Sequence, residues 1–184
     1  MKKTPTSMSF FQIILFSCFF LQLTQSSTQT NDAVLDDLVD DICKKTPNFD
    51  LCSSTIHSNP QAAKSDANGI AVIMINGILQ SVTNTLSFIQ GLVKETKDLE
   101  LQRKYAICAE TYIPLEKTVL PQAVDGINKK KNYGLAIYSM GYTGKEIDSC
   151  NKQFSNASPL GDKTNNLHKL LDIGSAILKL LLKG

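Results

Sequence analysis

Four stretches of this chain repeat apolar residues every three or four positions, and that rhythm limits the fold more than any other feature. Ile75, Ile78, Val82, Leu86, Ile89 and Val93 form the first stripe; Leu101, Tyr105, Cys108, Tyr112, Leu115 and Val119 form the second. Ala136, Met140, Thr143, Ile147, Cys150 and Phe154 make the third, and Leu167, Leu170, Gly174, Ile177 and Leu181 the fourth. A spacing near 3.5 puts each set on one side of a helix, and a helix with one apolar side must bury it. The expectation is an all-α fold, an antiparallel four-helix bundle. The run "IAVIMI" at 70–75 has the composition of a strand. It has no second strand to pair with and the helical stripe runs straight on from it, so it reads as helix. Pro114 and Pro121 fall in the second stripe, which predicts a kink there, or an end near Ile113 and a restart.

Ahead of the bundle, Val34, Leu35, Leu38, Val39 and Ile42 predict one more helix, starting after caps at Asn31 and Asp32. Thr46-Pro47 then reads as a new start, with Thr46 as N-cap and Pro47 in the first helical position, and Ser58-Asn59-Pro60 closes that short helix. Cys43 and Cys52 lie on either side of this break. A single straight helix would hold them about two and a half turns apart, beyond disulfide reach, whereas a reversal brings them together. Zinc is the other use for such a pair, but no further cysteine and only His57 lies near. The expected organisation is a leader at 1–26, a helical hairpin at 27–60 and a bundle at 61–184, the last two forming one domain.

The leader rests on order. Lys2 and Lys3 precede an uncharged run containing Ile13, Ile14, Leu15, Phe16, Phe19, Phe20, Leu21 and Leu23, and Thr24 to Ser27 are small or polar. Basic, then apolar, then small is the pattern of a secretory signal peptide; the run is short for a membrane span, and cleavage after Ser26 fits the small residues there. With the leader removed, Cys18 goes and four cysteines remain: Cys43, Cys52, Cys108 and Cys150. An even number in an exported chain predicts disulfides. Cys108 and Cys150 sit on the second and third stripes, so Cys43–Cys52 with Cys108–Cys150 is the pairing that keeps each bridge inside one motif.

Loss of Lys2 and Lys3 takes Lys plus Arg from 19 to 17, equal to the 17 acids, so the mature chain is formally neutral. Nucleic-acid binding would need a basic excess or stripe. Six acids between Asp32 and Asp50 face only Lys44 and Lys45, leaving the rest of the mature chain net positive. The sequence holds no GxSxG, HExxH, CxxC, P-loop or GxGxxG pattern. Asp36 and Asp40 share a helical face, but an exposed acidic helix is not the pocket that a glycosidase acid/base pair requires. His57 and His168 read as solvated or half-buried singletons. No cofactor, metal or catalytic residue is expected. Asn156-Ala157-Ser158 is the one N-glycosylation sequon, with Pro159 after it disfavouring modification.

In order and spacing, "CKKTPNFDLC", "CAETY" at 108–112, "IDSCNKQF" and the closing "LLDIGSAILKLLLKG" resemble the plant inhibitors of invertase and of pectin methylesterase. The resemblance spans essentially the whole mature chain. It implies a four-helix bundle preceded by a helical hairpin, with the first cysteine joined to the second and the third to the fourth. It also implies a non-enzyme, secreted or vacuolar, that blocks a carbohydrate-active enzyme in a one-to-one complex.

"YSMGYTGKEIDSC" lacks the Ser-Ala-Ala-rich stretch of many pectin methylesterase inhibitors, and with "YIPLEKTVLPQAV" and "LHKLLDIGSAI" it is more similar to the invertase-inhibitor branch. Some of those inhibitors insert a Pro-Lys-Phe element into the invertase cleft. Here the matching turn reads Lys131, Asn132, Tyr133, with the proline gone and the lysine displaced by one. The expected contact set is Lys129, Lys130, Lys131, Asn132 and Tyr133, its target an acid invertase or, as the alternative, a pectin methylesterase. The free protein is expected to be a monomer in the cell wall or vacuole, with no nucleic-acid or membrane partner once the leader is removed.

Overall fold

Polar residues 28–31 contain neither glycine nor proline, so nothing stops a helix there, and α1 runs Thr28–Cys43. Asn31 and Asp32 therefore lie inside α1 and do not cap it. The computed structural model describes residues 28–154 and 158–184; the leader and the sequon at Asn156 lie outside the described residues. The helix α2, Phe49–His57, starts two residues later than the Thr46 cap predicted. The Thr46 hydroxyl donates to the Cys43 carbonyl at 2.8 Å, satisfying the end of α1. Asn48 is the N-cap instead, its Oδ1 accepting from the Leu51 N–H at 3.0 Å. The reversal brings Cys43 and Cys52, disulfide-bonded, to a Cα–Cα distance of 5.6 Å.

The bundle opens with α3, Ala67–Glu95, capped by Asp66, whose Oδ1 accepts from the Gly69 N–H at 2.8 Å. This helix contains the IAVIMI run and, among the described residues, is the one long and apolar enough to cross a membrane. Its composition has a nearer cause. It packs against the following helices and against the last one, and Ile70, Met74, Ile75, Ile78, Val82 and Ile89 have no exposed surface. Each such side chain contributes about 1.5–3 kcal/mol relative to exposure.

Asp98 caps α4, Leu99–Pro114, and a five-residue π-turn, Leu115–Val119, leads directly into α5, Leu120–Lys130. The Leu120 N–H reaches back to the Leu115 carbonyl, one residue farther than in an α-helix. Pro121 follows at once, with no N–H to give and a ring that crowds the preceding turn, so the helix widens where it would otherwise break. The expected interruption thus falls between Pro114 and Pro121, and Leu115 and Leu120 remain fully buried through it.

Two residues separate α5 from α6, Tyr133–Asn151, and α7, Gly161–Lys183, completes the bundle. Cys108 of α4 and Cys150 of α6 are disulfide-bonded with Cα atoms 4.9 Å apart, next to a tilted Tyr105–Phe154 pair at 5.2 Å. All six residues of the third stripe are buried. The hairpin rests on the bundle through α2, where Thr55 lies so near Gly77 of α3 that a Cβ there would stand 2.9 Å from its methyl carbon.

Candidate functional site

The α5–α6 corner is the tightest reversal in the bundle. Lys131 ends α5 in the left-handed conformation, φ 48°, the one such non-glycine among the described residues. Its N–H bonds to the Ile127 carbonyl at 3.1 Å, and the Asn132 N–H reaches the Gly126 carbonyl at 3.0 Å. Asn132 then caps α6, its Oδ1 accepting from the Leu135 N–H at 3.0 Å. One residue closes a helix and the next opens another.

Tyr133 fastens this corner to the start of α3. Its hydroxyl donates to the Asn68 Oδ1, and its half-buried ring packs against the core. Lys129 is exposed and paired with Asp125 at 2.8 Å, a solvent-screened i,i+4 contact. Lys130 is the last residue of α5. Lys131 and Asn132 are exposed. The five residues named from the sequence therefore form one contiguous corner. Its aromatic ring, however, points into the fold more than out of it.

Two features beside the corner escaped the sequence reading. A groove of about 280 Å³ runs along it, lined by Gln122, Asp125, Gly126, Lys129, Asn132 and Leu135. Beyond it, the outer face of α6 presents Leu135, 38% exposed, and Tyr138, 69% exposed, with Tyr142 one turn farther on. The Tyr138 and Tyr142 rings lie 6.3 Å apart and 18° from parallel, and the Glu146 carboxylate beside Tyr142 raises that phenol above its ordinary pKa. The signal was present, since 135, 138 and 142 fall opposite the buried 136, 140, 143 and 147 stripe. An outward tyrosine is simply too common to stand out in a sequence.

Several titratable groups elsewhere have partners close by. Asp40 pairs with Lys44 at 2.9 Å, and Asp36 lies 3.6 Å from His57, so the two acids on one face of α1 serve separate partners. Asp148 on α6 meets His168 on α7 at 3.0 Å, an ion pair while that imidazole is protonated. No three His, Cys, Asp or Glu residues among the described ones converge as metal ligands would. The arrangement suits recognition by surface contact.

These features define a class: a disulfide-stapled helical bundle whose distinctive chemistry lies on its exterior. The family model described as plant invertase/pectin methylesterase inhibitor matches residues 37–177, and the chain belongs to that family. It is 32% identical over 143 residues to the cell wall / vacuolar inhibitor of fructosidase 1 of Arabidopsis thaliana, covering 76% of this chain and 67% of that protein. A pectinesterase inhibitor of Actinidia deliciosa is 26% identical over 128 residues, covering 70% and 63%. The crystal structure of a pectin methylesterase inhibitor from Arabidopsis thaliana superposes with a TM-score of 0.58 at 17% identity, covering 78% of this chain and 95% of that one. That likeness establishes the fold. The family is one of enzyme inhibitors, which accounts for a site made of surface.

Proposed function

We propose that this protein inhibits an acid invertase, a cell-wall or vacuolar β-fructofuranosidase, through a one-to-one complex that covers the active site. The observation that carries the reading is the 32% identity to a protein named as an inhibitor of fructosidase. The exposed Lys129 and Lys131 at the α5–α6 corner support it, since a glycosidase cleft holds paired carboxylates that such cations meet well. The free protein acts as an exported monomer without cofactor, in the wall or vacuole. The 26% identity to a pectinesterase inhibitor favours the second reading, with pectin methylesterase as target.

Titrating the purified protein into an acid invertase and a pectin methylesterase at mildly acidic pH separates the two. Stoichiometric loss of invertase activity alone is the expected result. Loss of pectin methylesterase activity alone would replace the first reading by the second, and loss of neither would remove both.

A further inference from the structure

Which side chain meets the enzyme is a separate matter, and its answer rests on the invertase reading above. The resemblance points to the aromatic at 133, but the geometry divides the labour differently. The Tyr133 hydroxyl is bonded to Asn68 and its ring leans on the core, so inserting that ring into a partner's cleft would break the bond and pull the ring off the core. Tyr138, on the outer face of the same helix, is the most exposed aromatic among the described residues.

Three observations single Tyr138 out. The Tyr142 ring lies near-parallel to it with centroids 6.3 Å apart, so the two rings form one aromatic surface that a partner can bury. Gly134 and Gly141 lie alongside on the same exposed face, yet the bundle needs neither. A Cβ at Gly141 would meet nothing, and one at Gly134 would meet only the Asn132 Oδ1 at 3.8 Å. Gly141, inside the helix, costs about 1 kcal/mol against alanine, and both leave bare backbone that a partner can approach closely. Lys131 and Lys145 stand toward the two ends of the stripe, exposed, and among the described residues neither is in an ion pair. An apolar anchor between two free cations complements a cleft that combines apolar walls with carboxylates.

We propose that Tyr138, flanked by Leu135 and Tyr142, is the anchor that the invertase buries, and that Tyr133 is a positioning residue that holds Lys131 and Asn132 in place. The test uses protein secreted from the full-length sequence, with inhibition constants measured against acid invertase. Tyr138→Ala weakens inhibition by at least about 30-fold with helicity and unfolding midpoint unchanged, as expected for an exposed anchor of hot-spot strength. Tyr138→Phe stays within about fivefold of the parent, because the ring supplies the contact.

Gly141→Gln raises the unfolding midpoint yet weakens inhibition about tenfold, by placing a side chain where the enzyme approaches. Tyr133→Phe and Asn68→Ala each weaken inhibition by about three- to fivefold, and the double variant by no more than either, because both remove the same bond. Full-strength inhibition by Tyr138→Ala, with the parent active, overturns the assignment while leaving the invertase reading intact. A parent protein that leaves invertase untouched removes that reading, and the assignment falls with it.

Discussion

Tyr112 is fully buried in the core of α4, and its hydroxyl has no protein hydrogen-bond partner among the described residues. An orphaned polar atom of this kind costs about 1–3 kcal/mol. Tyr112→Phe keeps the ring and removes the orphan, so chemical denaturation should show a gain of about 1 kcal/mol. Burial also pushes the Tyr112 phenol well above its ordinary value of 10.0. A raised folded pKa means that the unfolded chain releases this proton first. Titration of this group therefore leaves folding stability unchanged below about pH 10 and lowers it as pH rises beyond that. Tyr112→Phe should consequently resist alkaline unfolding better than the parent, visible as a midpoint shifted to higher pH. At the corner, Lys131 holds a left-handed backbone, φ 48°, that costs a side-chain-bearing residue about 1–2 kcal/mol. Lys131→Gly should raise stability by about 0.5–1 kcal/mol and weaken invertase inhibition, a pairing that calorimetry and titration on one sample can check.

At the scale of elements, each helix start is a local chemical event, and that is why some were legible and others shifted. The four stripes needed only their periodicity to be read, and their buried residues follow that periodicity from Ile75 to Ile177. Thr46 misled because a hydroxyl can cap the helix ahead of it or serve the one behind it. The choice depends on where the chain reverses, which one-dimensional spacing does not encode. Pro114 and Pro121 marked the right place, but the conversion of a break into a π-turn depends on Leu115 and Leu120 staying buried, a tertiary demand. The bond between Tyr133 and Asn68 spans 65 positions, so spacing along the chain gave no sign that this ring is tied to α3. The seating of α2 on α3 at Gly77 is equally nonlocal. Gly77→Leu should push Thr55 away, cost about 1–3 kcal/mol and make the hairpin more susceptible to limited proteolysis, with the bundle core still protected.

Across the whole molecule, the two staples act on different parts. The Cys43–Cys52 bridge, nine residues in separation, fixes the hairpin, and Cys108–Cys150, 42 residues in separation, ties α4 to α6 across the bundle. By loop length, removing the first should cost about 2.6 kcal/mol and the second about 3.9 kcal/mol. Paired Cys→Ala variants followed by thermal unfolding should show that order, and a larger loss at the hairpin would mean its staple does more than close a loop.

The remaining consequence concerns the two faces of α6. Inward, Ala136, Met140, Ser139, Thr143, Ile147 and Cys150 are committed to the core and to a covalent link. Outward, Tyr138 and Lys145 are exposed and take no part in the core cluster. With Tyr138 as the proposed anchor, a protein divided in this way would acquire a new target by redrawing one side of one helix. The scaffold behaves like a handle to which different keys can be cut.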